Sequence, residues 1–560
     1  KSALTIGLRP NPLTTDYEDN YLTDLMEETT GVSLEFFFFP SEGAEAKQKF
    51  SMMVAGGETL PDIVVLPGLS DVERYNYGSG GYFIPLDEYM ENDAVNWNKT
   101  MDTWATGQQK ESVLRDARSF DGKIYAFPQF YCDPADASSL YMSINKQWLD
   151  NLKLEMPTTT DELRDVLKAF REGDPNGNGQ TDEIPLLTNY VDAGNYGCNV
   201  LLPLINSFVY CSGSMSSLSL SEDGKTVIAP QVTDGWKEAL KYLKSLYDVG
   251  GILPDGSFIY GTDTTGFKGT LNFQGNGTET APEGKSVNVV GLFSCGSNSG
   301  NFAGSGEDKN VNFLEYVMMP VLETGNGEAY NPYIEQPGSG YWYVTEDAKD
   351  PAFCVYMGDY FYGREMSINV RFGQKEVDWT DDPEYCSNWY EQHTKLLEEW
   401  ADKGAKQIKT DYEWVSGVNA ENKTWAEPNN HFWRNVQPRY MDLDTFTYHF
   451  GTWKDPENFQ YFFGDTLADT SLEYYNEAHP EHVLPLISYT PEEQDKITEF
   501  QIAYPDEILN WTMKFITGEA DIDGQWDAYK SALDALGLQT YIECSQAAYE
   551  RTIYYQSNFQ

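Results

Sequence analysis

Apolar residues recur along the first 130 positions in two alternating rhythms. Leu4–Leu8 is a compact apolar run of strand length, and Tyr21, Leu22, Leu25 and Met26 then share one face of a helix over Asn20–Thr30 that stops near Gly31. Val32–Phe39 reads as a second strand, Lys47–Ala55 as a helix ended by Gly56-Gly57, and Asp62–Leu66 as a short, fully buried strand. Strand and helix in this alternation predict a parallel or mixed sheet with helices on both faces.

Around Asp121–Asp133 (DGKIYAFPQFYCD) a turn leads into a Pro-containing extended segment, which reads as a crossing to a second body. A strand at Leu140–Ile144 and a helix at Lys146–Leu152 restart the alternation. The next helix, Asp161–Phe170, puts Leu163, Val166, Leu167 and Phe170 on one face, with Thr159 and Glu162 as a capping box. Further on come a Ser/Gly-rich loop from Cys211 to Ser221, a helix over Trp236–Tyr247 and another loop over Cys295–Gly306. Strands at Val311–Leu322 and Tyr341–Thr345 are expected to carry the chain back to the first body. Thr490–Arg551 is helical, with Trp526, Tyr529, Leu533 and Leu536 on one face and Asp521 or Asp523 at its start. The expected segments are 1–131 in lobe 1, 132–322 in lobe 2, 323–375 returning to lobe 1, and 376–560 as the remainder of lobe 2 with the C-terminal helices.

Length supports two lobes, because single cores stop growing at roughly 250 to 300 residues and this chain has 560. Charge removes several partners. With 38 Lys plus Arg against 88 Asp plus Glu the formal net charge is −50, which repels nucleic acid and anionic membrane surfaces and tilts the expectation mildly toward neutral solutes. Seven scattered cysteines, with no CxxC and no zinc-ligand spacing, read as buried thiols. No apolar run reaches the roughly 18 residues of a membrane span. The abrupt start at Lys1, with a strand close behind, leads us to expect a removed leader or a lipid anchor upstream.

One motif carries sharp chemistry. Asp174-Pro-Asn176-Gly-Asn178-Gly-Gln180-Thr-Asp182-Glu183 puts oxygen side chains at loop positions 1, 3, 5 and 9 and glycine at position 6. Six to eight hard oxygens at about 2.3 to 2.6 Å suit Ca2+ and disfavour zinc. Position 12, where a bidentate glutamate would stand, is Pro185, so Glu183 is the substitute and strand-like IPLL follows in place of a helix. The calcium would be structural; the plainer alternative is an Asn/Gly turn.

The segments MVAGGETLPDIVVL (Met53–Leu66), IPLDEYM (Ile84–Met90), DGKIYAFPQ (Asp121–Gln129), Ile144–Leu186, FITGEADIDGQWDAY (Phe515–Tyr529) and QAAYER (Gln546–Arg551) resemble extracellular solute-binding proteins of carbohydrate ABC importers. Within that group they are most similar to the large members that include alginate-binding proteins and Gram-positive lipoproteins. The resemblance implies an α/β, two-lobed periplasmic-binding-protein-like fold of type II, with an interlobe cleft and hinge. It further implies a calcium loop on Asp174, Asn176, Asn178, Gln180, Asp182 and Glu183, an oligosaccharide ligand, ABC permease subunits as partners, and a monomer at the cell surface or in the periplasm. Residues from about 363 to 482 match no motif of the family.

A sugar presents an apolar C–H face and a belt of hydroxyls, so its binders combine flat aromatics with hydrogen-bonding side chains. With 14 Trp and 38 Tyr the chain has more such rings than core packing asks for. Trp342, Trp379, Trp414, Trp433 and Trp453 stand in polar, loop-like surroundings, Tyr131 at the crossing, and Arg9 and Asp71 just after strands, where open α/β sheets bind ligands. For each one, burial or ordinary surface display is the competing explanation. Trp148, Trp236, Trp511 and Trp526 have core spacing.

Enzymatic alternatives fare worse. A pair of carboxylates at glycosidase spacing says little among 88 acids. Ser143-Ile-Asn-Lys146 has the S-x-x-K form without SDN or KTG partners, and there is no HExxH, GxSxG or phosphate-binding glycine loop after a strand. A polysaccharide hydrolase or lyase, or the binding module of a sensory system, are the alternatives to transport.

Overall fold

The computed structural model describes residues 3–103, 107–119, 121–128, 130–131, 140–189, 199–253, 258–259, 286, 288–295, 315–325, 329–333, 340–384, 419–420, 427–434, 440–441, 474–475 and 478–558. Two five-stranded mixed sheets organise it. The first runs β2 (Ser33–Phe38), β1 (Ala3–Leu8), β3 (Ile63–Val65), β13 (Trp342–Val344), β4 (Ala126–Phe127); β1 is parallel to both neighbours and β13 antiparallel to its own. The second runs β10 (Phe258–Ile259), β7 (Ile184–Asn189), β11 (Val290–Cys295), β6 (Tyr141–Asn145), β12 (Tyr316–Met318), with β7 parallel to β10 and β11 and β6 antiparallel to its neighbours. Three short pairs accompany them: β5 (Phe130–Tyr131) with β16 (Tyr440–Met441), β8 (Ser219–Leu220) with β9 (Val227–Ile228), and β14 (Trp379–Thr380) with β15 (Asn419–Ala420).

Local chemistry sets the first three strands. Asn20 accepts from the Leu22 amide to start α1 (Tyr21–Thr30), and Gly31, at φ 73°, ends it in the left-handed conformation that glycine tolerates. The helix α2 (Gly43–Gly56) then returns the chain to β3, and α3 (Asp71–Ser79) opens with a Ser70/Glu73 capping box. In the order β2-β1-β3 the carboxyl ends of β1 and β3 are neighbours, the place where such sheets bind ligands.

Each sheet has its own core. Ile6, Leu8, Ile63, Val65, Trp342 and Val344 pack with Val113 and Ala117 of α4 (Gly107–Ala117) in the first. Ile144, Leu186 and Leu292 pack in the second with Trp148 of α5 (Lys146–Leu152), Phe170 of α6 (Thr160–Glu172) and Trp236 of α7 (Asp234–Asp248). The helices α8 (Pro351–Tyr360) and α9 (Arg364–Phe372) add Cys354, Val355, Met366 and Val370 to the first core, and α10 (Pro491–Thr517), α11 (Ile522–Leu536) and α12 (Leu538–Asn558) add Phe515, Trp526, Leu533 and Tyr549 to the second. The Thr159/Glu162 capping box forms on α6, and Asp521 caps α11 by accepting from the Gly524 amide at 2.6 Å.

Two expectations are corrected. The strand expected over Val311–Leu322 does not itself lead back to the first lobe: β12 pairs with β6 and stays in the second sheet, in keeping with the expected 132–322 segment, and among the described residues β13 makes the return. Residues 427–434, expected in the second lobe, lie on the first: Phe432 and Trp433 join its core, and Thr14 bridges to Asn429. The apolar Phe-Trp pair has buried surface to cover there, beside Phe36 and Phe361. Among the cysteines, Cys211, Cys354 and Cys544 are buried.

Candidate functional site

A cavity of about 250 Å³ opens where β1 and β3 end, walled by Leu8, Val65, Arg9, Asn11, Glu42 and Arg434, among others. Prolines at 10 and 12 stiffen the chain as it leaves β1. The Arg9 guanidinium donates through Nε (3.0 Å) and Nη2 (2.5 Å) to the Ser41 carbonyl, which fixes it at the start of α2. Arg434 is 2% exposed; it donates through Nη1 to the Leu13 carbonyl and through Nη2 to that of Glu427 (2.8 Å), and lies over the Phe432 ring at 5.0 Å. Desolvation lowers its pKa from the ordinary arginine value, so its charge is held in a poorly hydrated place. A larger cavity, about 350 Å³ between Leu484–Ile487, Tyr333, Tyr489 and Tyr541, has no residue of either five-stranded sheet in its lining.

The structure disperses the aromatic candidates. Trp342, Trp379 and Trp433 are each 0% exposed and satisfy their indole N–H inside the protein: Trp342 donates to the Cys354 carbonyl (3.2 Å), Trp379 to Asn369 and to the Gly373 carbonyl (both 3.0 Å), Trp433 to Thr23 Oγ1 (2.8 Å). A ring without an exposed face cannot stack on a sugar, so these three are corrected to core residues. Trp414 and Trp453 lie outside the described residues. The Tyr131 backbone sits in β5, which lies along the chain between β4 of the first sheet and β6 of the second. Sequence inspection missed Arg434, because nothing in NHFWRN distinguishes a buried arginine from a surface one.

Asp71 belongs to a contact between the lobes. It is paired with Arg74 and accepts from Ser488 Oγ at 2.6 Å, while Arg551 of α12 holds the Ser488 carbonyl (2.9 Å) and Glu493 (2.7 Å). α3 follows a strand of the first sheet, whereas Ile487 and α12 pack on the second core, so Arg74–Asp71–Ser488–Arg551 spans both bodies. Ser488→Ala should loosen this arrangement and raise the radius of gyration of the ligand-free protein in small-angle scattering; an unchanged curve would mean that the contact does not hold the lobes.

The oxygen-rich loop leaves α6 at Gly173 and enters β7 directly, giving helix, loop and strand. Asp174 (φ 49°), Gly177 (φ 69°) and Gly179 (φ 78°) take left-handed conformations that curl it tightly. Asn176 accepts from the Asn178 amide (3.1 Å), Asn178 from the Gln180 amide (2.7 Å), and Asp174 from the Gly179 amide (3.2 Å). Asn151 and the Ser286 amide tie its backbone to the rest of the lobe at the Pro175 and Asn176 carbonyls. Inside the curl the Asp182 carboxylate takes the side-chain amides of Asn176 and Asn178 (both 3.1 Å), and Glu183, 1% exposed, keeps Oε1 buried without a hydrogen bond. Burial first, then the charges of Asp182 and Asp174, raise the Glu183 pKa above its ordinary value. These donors fit a cation: an orphaned buried carboxylate oxygen faces neighbouring negative charge that an ion would offset. Among the described residues no three His, Cys, Asp or Glu side chains suffice for a metal on their own, so amide and carbonyl oxygens would have to complete the shell.

Residues 11–265 match the family model described as bacterial extracellular solute-binding protein. Along 569 aligned positions the chain is 25% identical to the fructooligosaccharide ABC transporter substrate-binding protein FusA of Streptococcus pneumoniae, covering 100% of this chain and 91% of that one. Its fold is similar to an extracellular solute-binding protein from Bifidobacterium longum subsp. infantis (TM-score 0.72, 20% identity, 99% and 98% of the two chains). It is also similar to an EF-hand mutant of S. pneumoniae FusA in complex with fructo-nystose (TM-score 0.63, 21% identity, 100% of both). Over residues 11–265 the chain thus matches bacterial extracellular solute-binding proteins, and its two sheets, with a cavity at the strand ends of the first, give it a fold like that of the solved relatives.

Proposed function

We propose that this protein captures an oligosaccharide outside the cell and delivers it, uncut, to the permease subunits of an ABC importer. The observation that carries this reading is the full-length relationship to a fructooligosaccharide-binding protein, with two separate sheets and a cavity at the carboxyl ends of β1 and β3. Arg9 supplies guanidinium N–H donors for the ligand at that cavity. The loop from Asp174 to Glu183 holds a structural Ca2+ through Asp174, Asn176, Asn178, Asp182, Glu183 and the Gln180 carbonyl; the ion staples the second lobe and takes no part in ligand chemistry. A lipid anchor upstream of Lys1 and a monomeric state complete the reading.

Calorimetry against a panel of plant and host oligosaccharides tests it. We expect at least one member to bind at about micromolar Kd or tighter, a free energy near −8 kcal/mol, and chromatography to return it intact. Absence of binding across the panel, or turnover of a bound glycan, would sink the proposal.

A further inference from the structure

Among the described residues that line the cavity at the carboxyl ends of β1 and β3, guanidiniums outnumber carboxylates, unlike in the chain as a whole. Against a formal net charge of −50, two guanidiniums, Arg9 and Arg434, face this space with one carboxylate, that of Glu42. Other arginines of the structure meet acids: Arg74 with Asp71, Arg115 with Asp116, Arg118 with Asp87, Arg551 with Glu493. Arg9 has no such ion pair among the described residues, and its partner is the Ser41 carbonyl, a dipole that orients a guanidinium without neutralising it. That bond uses Nε and one N–H of Nη2, and the Nη1 edge remains for a ligand. α2 begins immediately behind Ser41 and Glu42 with no side chain capping its first amides, so its dipole adds to the positive field. Gly43 leaves the room this needs: a Cβ there would stand 3.3 Å from Arg9 Nη1.

We propose that this cavity receives a carboxylate of an acidic oligosaccharide, gripped by Arg9 and attracted by Arg434. The inference rests on the proposed function and specifies its ligand, reversing the preference for neutral sugars that overall charge suggested. A guanidinium fork matches the two oxygens of a carboxylate, and a fixed buried charge acts over a few ångströms with little screening, whereas the diffuse negative charge of the surface is screened over about 8 Å at physiological salt. An isolated anion such as phosphate shares the chemistry and is the other source of charge to separate.

The test uses the full chain and calorimetry with trigalacturonate, an alginate trisaccharide and sialyllactose, each beside its neutral methyl ester, and with inorganic phosphate alone. The expected result is that at least one acid binds 10-fold or more tightly than its ester. Arg9→Gln should bring that ratio close to 1 and Arg9→Lys leave it in between, with melting curves of both variants showing that they remain folded, since Arg9 is half-buried and bonded to the Ser41 carbonyl. Equal affinities for every acid and ester would overturn the inference, as would a ratio that survives Arg9→Gln, or phosphate binding as tightly as the best acid. If neutral members of the wider panel bind while no acid is preferred, only this inference fails; if no glycan of either kind binds, the oligosaccharide reading fails with it.

Discussion

Trp342→Ala and Trp433→Ala should each cost the first lobe about 3 to 5 kcal/mol of stability, the range for deleting a buried tryptophan, while the protein that remains folded binds its ligand as before. Trp342 lies inside the first sheet, between β3 and β4, edge-on to Phe361 at 5.4 Å, and α8 approaches so closely that a Cβ on Gly358 would come within 3.0 Å of its Nε1. Removing the ring leaves a void against a rigid helix and withdraws a donor from the Cys354 carbonyl. Trp433 fastens the 427–434 segment by its contact with Phe36 (5.2 Å) and its bond to Thr23. Denaturant melts would show the loss as a lower midpoint, and the milder Trp→Phe changes would keep a measurable folded population if alanine empties it. A large fall in affinity at undiminished stability would instead make these rings part of the ligand surface.

The same residues show which features are legible in the sequence. Helices with complete local signals were readable almost to the residue: Lys146–Leu152 matches its span, and Thr159 with Glu162 caps α6 as its spacing demands. The two-body architecture followed from chain length and repeated alternation, because both express how much apolar surface one core can bury. The tryptophans failed for a definite reason. Asp, Gly and Asn beside Trp342, Trp379 and Trp433 signal turns, and a turn residue is ordinarily exposed, but here the turns are folded over by α8, α9 and the 427–434 segment, which come from distant parts of the chain. Asp71 was rightly placed just past a strand, yet its partner, Ser488, lies 417 residues away. Arg434 was invisible for the same reason: its setting comes from Leu13 and Glu427, and no local pattern encodes it.

Chelating calcium should lower the melting transition of the second lobe by about 5 to 10 °C. An ion present at 100 times its Kd stabilises the folded state by about 2.7 kcal/mol, and each kcal/mol moves a domain of 150 to 250 residues by about 2 to 4 °C. The loop explains why the metal-free form is the weaker one: Glu183 is buried with an unbonded oxygen beside the charges of Asp182 and Asp174. Because its folded-state pKa is raised, its ionisation works against folding, so this site costs stability as pH rises from the ordinary glutamate value through the raised one. Glu183→Gln removes that charge and a metal ligand together. The variant should melt at or above metal-free wild type in excess chelator, and should gain little when calcium is restored. Ligand affinity should change little in either case, since the loop is tied to α5, α6 and the approach to β11 and is absent from the lining of the Arg9 cavity. Wild-type melting that is the same in calcium and in chelator would leave the loop as an Asn/Gly turn with an awkward buried acid, and the proposed ion would have no place in this lobe.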